Sequence, residues 1–315
     1  MDLLIKISDF LSRRASLFII FIAVFSYIFN KSFVWVHGNV QTFLLGFIML
    51  SMGLTLTNKD LEILKSRPFD ILIGTVAQFS VMPILAFLLT KLFDLPIGIS
   101  LGLMLVGCCP GGVSSNIMSF LCNGDVAFSI GMTTVNTILA PIVTPLLLLL
   151  FSGQSVEIDA LSMFLNILLV TILPVSIGFI LNRYLSSKET YINIKKAMPG
   201  FSVIGLALIV GGVVCQCCDS ITQIGFFIFL IAFIHNTLGY IVGFIVGYIM
   251  KFPYKKKKTI SIEVGMQNAG LATNLATNHF TAFPEAAVMS AICCIWHSIS
   301  GTILANIYLL IDKKK

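Results

Sequence analysis

Charge is what this chain has least of. Only 11% of its 315 residues are Asp, Glu, Lys or Arg, against about 25% in an ordinary soluble domain. Hydrophobic residues make up 57%, Phe alone occurs 26 times, and the mean hydropathy is +0.99. A soluble chain of this length could not hide that much apolar surface under so few polar groups, so the sequence predicts an all-α polytopic membrane protein. Catalytic signatures are missing too. There is no HExxH, no GxSxG, no Walker loop and no clustered carboxylate pair, which argues against an enzyme and against a self-contained ATP-driven pump. No CxxC is matched by a second CxxC or by a His pair at zinc spacing, so the eight cysteines read as small buried hydrophobes. Cys215-Gln216-Cys217-Cys218 ends a helix and is the run most open to an oxidising compartment. The composition argues against a nucleic-acid partner, and no obligate protein partner is evident. The N-terminal apolar run lacks a small-x-small cleavage site and reads as a first membrane helix that stays attached.

What is present is a series of apolar runs. A span needs roughly 20 mainly apolar residues, and ten candidates emerge: 15–36, 41–57, 69–93, 97–122, 126–151, 159–184, 198–217, 222–250, 258–280 and 285–311. With the N-terminus placed in the cytoplasm, ten crossings put 18 of the 20 Lys and Arg inside and leave only Lys31 and Lys91 outside. The positive-inside rule therefore supports ten transmembrane helices with both termini cytoplasmic. It also explains the net charge of +6 without an acidic partner. The Lys255–Lys258 run is an orientation anchor, with lipid-headgroup binding as its alternative.

Ten spans divide at the 152–158 linker into a first five-helix repeat, 1–151, and a second, 152–315. An odd number of crossings inserts the second half upside down, the inverted-repeat plan of many secondary transporters. The fourth helix of the first half is interrupted by Pro110, Gly111 and Gly112. That of the second half is interrupted by Gly265, Gln267, Asn268 and Gly270. Aligning Gly112 with Gly270 also aligns Asn116 with Asn274. Paired breaks in corresponding helices point to a binding site. The half-helices beginning near Val113 and Ala269 would present two positive dipole ends to an anion, and the exposed carbonyls would suit a hard cation.

Some polar residues lie where a membrane helix should be apolar. Glu263 sits a turn or more inside helix nine, where no nearby basic residue in sequence pairs with it. A buried carboxylate there is costly unless paired, and a bound cation would pair it. Gln78 lies inside helix three, and Ser129 and Thr133 share a face of helix five with Asn136 and Thr137 following. Singly these are ordinary interhelical hydrogen-bonders. Together with the breaks they form an oxygen-rich set fit for sodium. His297, between Trp296 and Ser298, is either a cavity residue, a proton relay or a packing histidine. His235 reads as packing, and His279 as wet.

At these residues the chain resembles the bile acid/sodium symporter family, and within it the bacterial homologues of the intestinal bile-acid transporter. The likeness is carried by LLGFIMLSMGLTL (44–56), AQFSVMP (77–83), VGCCPGGVSSN (106–116), TISIEVGMQN (259–268) and WHSISG (296–301). It implies a panel domain of helices 1, 2, 6 and 7 and a core domain of helices 3–5 and 8–10, with helices 4 and 9 unwound and crossing. It also implies two Na⁺ ions. One would be held by Ser115, Asn116, Ser129, Thr133 and Glu263. The other would be held by Gln78, Glu263, Gln267 and the backbone carbonyls of Val264 and Met266. The substrate residues implied are Val113, Ser114, Asn268, His297 and Ser298. A bacterial relative has Thr where this chain has Val113, and Asn where it has Ser298, so the cation residues match better than the substrate residues. The expected cargo is an organic anion, bile-acid-like or a small carboxylate such as pantoate, carried across a bacterial inner membrane by alternating access. A proton-coupled carrier using Glu263 and His297, a channel and a non-transporting sensor are the rival readings.

Overall fold

The computed structural model describes residues 2–152 and 156–313, and every regular element among them is a helix. Residues 153–155 of the predicted linker, and the basic residues Lys314 and Lys315, lie outside the described residues. In chain order the helices are α1 (Asp2–Arg13), α2 (Ala15–Ile28), α3 (Gly38–Thr55), α4 (Asn58–Ser66) and α5 (Pro68–Leu92). They continue as α6 (Ile97–Cys108), α7 (Ser114–Leu121), α8 (Val126–Ser152), α9 (Ala160–Ile167) and α10 (Leu173–Leu185). The chain closes with α11 (Glu189–Gln216), α12 (Cys218–Ile249), α13 (Tyr254–Gly265), α14 (Ala269–His279) and α15 (Pro284–Lys313).

Seven of these helical segments among the described residues are long and apolar enough to cross a membrane, α9 and α10 counting as one through a π-turn at Leu168–Ile172. That turn directly precedes Pro174, whose missing N–H makes a regular α-helical ladder impossible there. The three remaining predicted spans are shorter for visible reasons. Two are the broken segments, α6 with α7 and α13 with α14. The third, placed at 15–36, ends at Ile28 as α2, and residues 30–35 are turn. Ser32 caps that turn through Phe29 O at 2.8 Å, and His37 Nδ1 lies 2.7 Å from Val34 O. The seventh span begins at Glu189, earlier than the predicted 198. Its basic first turns are carried on a polar contact, Tyr191 and Lys195 both donating to Asn182 Oδ1 at 3.2 Å.

The distribution of polarity is that of a protein solvated by lipid. Phe69 and Phe226 are 77% and 84% exposed, while Gln78, Ser129, Thr133, His235, Asn236 and Glu263 are fully buried. Two packing groups can be distinguished. The first joins α2, α3, α10 and α11. Here a β-carbon on Gly53 would overlap the Val175 carbonyl, and one on Gly178 the Leu50 carbonyl, so small residues bring these backbones together. The second joins α5, α6, α8, α12, α13 and α15. Its ion pairs gather the starts of α5, α8 and α13 and the end of α15 at one end of the molecule. They are Arg67–Asp125 at 2.8 Å, Lys256–Asp70, and Lys258–Asp312 at 2.7 Å.

None of the eight cysteines is in a disulfide; six are buried, and Cys217 and Cys218 are half-buried. His235 packs as expected, its Nε2 donating to Met82 O at 3.1 Å. His279, read as wet, is half-buried, and its Nε2 is shielded.

Candidate functional site

The two helix breaks meet. Pro110 cannot donate a backbone hydrogen bond, so α6 stops at Cys108 and the chain runs extended before α7 begins at Ser114. The second break separates α13 from α14 at residues 266–268. The breaks pair as a short antiparallel bridge between Gly111 and Gln267. Gly112 N donates to Met266 O and Asn268 N donates to Pro110 O, both at 2.8 Å. Glycine is required at 112, because a β-carbon there would sit 2.8 Å from the Gln267 carbonyl oxygen.

In the bridge the main chain sets Gly112 against Met266 and Pro110 against Asn268, while Gly270 lies beyond it on α14. The two aligned asparagines have different surroundings: Asn116 Oδ1 accepts from Ser129 Oγ at 2.8 Å, whereas Asn274 donates to Thr42 Oγ1 on α3 at 3.1 Å. The joint itself is made by backbone atoms.

Carbonyls freed at the breaks are met by side chains from neighbouring helices, as a dry interior demands. Thr144 of α8 donates to Cys108 O at 2.8 Å, and Asn236 of α12 donates to Gly265 O at 2.7 Å. Sequence reasoning missed both roles. Thr144 lies between Pro141 and Pro145, and that proline bracket in an apolar run was the available signal.

Glu263 is fully buried at the end of α13. Its carboxylate accepts from Ser115 Oγ at 2.5 Å, from Thr133 Oγ1 at 3.0 Å and from Ser129 Oγ. Asn116 Oδ1 joins the same cluster, 2.8 Å from Ser129 Oγ and 3.3 Å from Thr133 Oγ1. Among the described residues Glu263 takes part in no ion pair. Hydroxyls from α7 and α8 thus converge on one carboxylate that no ion pair among the described residues balances. Ser129 and Thr133, four apart on α8, share a face as expected, while Thr137 bonds back to Thr133 O at 2.7 Å within its own helix.

The second predicted set also assembles. Gln78 Nε2 donates to Gln267 Oε1 at 2.6 Å, and Gln267 Nε2 donates to Val264 O at 2.7 Å. Met266 O is the acceptor of the crossover bond. Gln78 Oε1 is buried without a hydrogen-bond partner, as are both amide atoms of Asn136. Among the described residues no three His, Cys, Asp or Glu side chains come together as a metal site, so any cation here would be held by hydroxyl, amide and carbonyl oxygens around one carboxylate. Such a set suits a hard monovalent ion.

A cavity of about 300 Å³ lies against the crossover. Val113, Ser114, Asn268, His297 and Ser298 all line it, so the five predicted substrate residues share one space. Its far wall is apolar, with Ile19, Leu45, Met49 and Leu206, and it extends to Ser12, Thr55 and Asp60. Both half-helix N-termini border it. Asn268 caps α14 by accepting from Leu271 N at 3.0 Å, whereas α7 has no side-chain cap. His297 Nδ1 lies 3.4 Å from Gln267 O, and its Nε2 is buried without a partner.

Comparison with known proteins agrees with this architecture. The Sodium Bile acid symporter family model matches residues 42–224. The chain is 40% identical over 315 residues to the uncharacterized sodium-dependent transporter YocS of Bacillus subtilis (strain 168), covering 100% of this chain and 97% of that one. It is 38% identical over 278 residues to the probable sodium/metabolite cotransporter BASS1, chloroplastic, of Arabidopsis thaliana, covering 88% and 69% of the two chains. It is 32% identical over 257 residues to the human ileal sodium/bile acid cotransporter, covering 80% and 73%. The chain therefore belongs to the sodium/bile acid symporter family and is a multi-pass membrane transporter, not an enzyme.

Proposed function

We propose that the chain is a sodium-coupled symporter that imports an organic anion by alternating access. The observation that carries this reading is Glu263, fully buried and surrounded by Ser115, Asn116, Ser129 and Thr133 and, among the described residues, in no ion pair. An unpaired carboxylate in a low-dielectric interior is costly, and a sodium ion among these oxygens offsets that cost. A second ion is assigned to Gln78, Glu263, Gln267 and the carbonyls of Val264 and Met266. Both ions are cargo. By drawing the two breaks together they set Asn268 and the end of α7, and so shape the cavity for an anion. Two Na⁺ with a monoanion carry one net positive charge inward, which the membrane potential favours by about 2.3 kcal/mol per 100 mV.

The same reading assigns ten spans in two inverted five-helix repeats, with both termini cytoplasmic in a bacterial inner membrane. The packing group of α2, α3, α10 and α11 becomes the panel and the other the core. The cavity then opens inward, toward Ser12, Thr55 and Asp60. The outward end is held by polar contacts between α3 and α14: Asn274 and Asn278 donate to Thr42, and Thr277 donates to Gln41 Oε1 at 3.1 Å. Rocking of panel against core would break these contacts and close the inner mouth. The cavity's apolar wall and polar floor fit an amphipathic or small carboxylate cargo.

Thermal unfolding in detergent, in NaCl against KCl at equal ionic strength, tests the cation sites. A ligand bound only by the folded state stabilises it by RT ln(1 + [L]/Kd), about 1.4 kcal/mol at tenfold excess over Kd. The wild type is expected to gain stability specifically in sodium, and Glu263→Gln and Glu263→Ala to lose that gain. A wild type equally stable in both salts up to molar concentration overturns the sodium reading. Uptake that follows pH and ignores sodium would replace it with a proton-coupled carrier.

A further inference from the structure

The helix α1 precedes the first predicted span. Its residues do not read as a span, and its axis over Leu4–Ser12 is bent 84° from that of α2 over Ala15–Ile28. Along α2 the exposed residues Leu17, Phe21, Val24 and Ile28 repeat at helical spacing, a continuous apolar stripe on the outside of the molecule. In a protein of this class such a stripe faces lipid. A helix set at nearly a right angle to a lipid-facing helix runs along the membrane surface rather than through it.

The sides of α1 match that placement. Ser8 is buried against α11, donating to Ala197 O at 2.9 Å and accepting from Gly200 N at 2.9 Å. A β-carbon on Gly200 would overlap Ser8, so this seam is close-packed backbone against backbone. Lys6 and Asp9, within about 60° of each other on the helix, are exposed on another side. Between these sides lie Leu4, Ile7 and Phe10, which are 49%, 46% and 56% exposed although apolar. Arg14, at the corner, holds its guanidinium 4.8 Å from the Phe10 ring centre. That is the posture of a cation whose stem lies on apolar surface while its head reaches headgroups.

We propose that α1 is an interfacial helix that lies in the plane of the membrane. Leu4, Ile7 and Phe10 sink into the boundary between headgroups and acyl chains, and Lys6 and Asp9 face water. The occupant of this surface is the bilayer itself, because the exposed face of α1 continues the lipid-facing stripe of α2 around the corner. Because Ser12, Ala15 and Ser16 line the cavity, the helix seats the mouth of that cavity at headgroup depth. It is also stitched to α11 through Ser8, so it ties this packing group to the membrane surface.

Nitroxide scanning of the full chain in vesicles of phosphatidylcholine and phosphatidylglycerol tests this. Single labels are placed through Leu4→Cys, Lys6→Cys, Ile7→Cys, Asp9→Cys and Phe10→Cys, with Cys217→Ser and Cys218→Ser removing the half-buried thiols. All five positions lie off the Ser8 seam, so the helix stays docked. Labels at 4, 7 and 10 are expected to collide several-fold more with oxygen than with a water-soluble nickel complex, and labels at 6 and 9 to show the reverse. Equal ratios at all five positions would overturn the proposal. Protection from both reagents at 4, 7 and 10 would overturn it as well, because protein and not lipid would then cover that face.

Discussion

Replacing one glycine of the crossover, and leaving its apparent counterpart as a control, is the sharpest test of how the site is held. In Gly112→Ala the new methyl would lie 2.8 Å from the Gln267 carbonyl oxygen and 3.2 Å from its carbon. Backbone cannot rotate aside as a side chain can, so the two strands of the bridge must separate. The bonds from Gly112 N to Met266 O and from Asn268 N to Pro110 O are then lost. At a net value of about 1 kcal/mol each they account for about 2 kcal/mol, and more if the freed amides stay dry. At roughly 2 °C per kcal/mol for a chain of this size, the midpoint of thermal unfolding should fall by about 4 °C or more. The sodium-specific stabilisation should shrink with it, because Glu263 lies beside the bridge and Met266 within it. In Gly270→Ala the nearest atom is Leu206 Cδ1 at 3.4 Å, an ordinary contact. That substitution should be neutral or slightly stabilising, since alanine is the better helix former by about 0.5–1 kcal/mol. The assay is a melting curve of each purified variant in detergent, in sodium and in potassium. Gly112→Ala melting with the wild type, or Gly270→Ala falling as far as Gly112→Ala, would refute the main-chain account of the joint.

Other outcomes follow from the same geometry. Asn236→Leu should cost about 1–3 kcal/mol by leaving the Gly265 carbonyl buried and unpaired, and differential scanning fluorimetry would register it. Thr144→Val should be destabilising through Cys108 O while Thr144→Ser is tolerated. Equal midpoints for those two variants would remove the hydroxyl from the account. Arg67→Ala should change stability by less than about 1 kcal/mol, because its pair with Asp125 is an exposed one. Maleimide treatment of the native protein, read by intact mass, should add at most two labels, at Cys217 and Cys218. A third label would mean that one of the six buried cysteines is reachable.

Much of the candidate site was legible because charge and backbone chemistry are conspicuous in apolar sequence. Glu263 stood out as a charge inside a span, and Ser129 with Thr133 by spacing; both are where the sequence placed them, on opposite sides of one hydrogen-bonded cluster. Pro110 marked the first break. Ser115 and Asn116 were assigned by family resemblance rather than by any local pattern. The register of the bridge was not legible, because it matches carbonyl to amide and no side-chain type marks those atoms. The early end of α2 was hidden by the apolar Phe33, Val34, Trp35 and Val36, which keep a hydropathy run going through a turn. The separate helix α1 was missed for the opposite reason: its charges sit on one side, and an average over a window cancels a face.

The bridge between Gly111 and Gln267 joins the two halves through peptide groups, which every residue but proline supplies alike. Apart from Gly112, where a β-carbon would collide with the Gln267 carbonyl, side chains around it can therefore vary without altering the bond that holds the halves together. Val113 and Ser298 line the cavity but lend neither donor nor acceptor to the bridge. Evolution can thus revise the cavity's chemistry by single substitutions while the joint stays constant, separating what a descendant of this chain would recognise from what keeps it assembled.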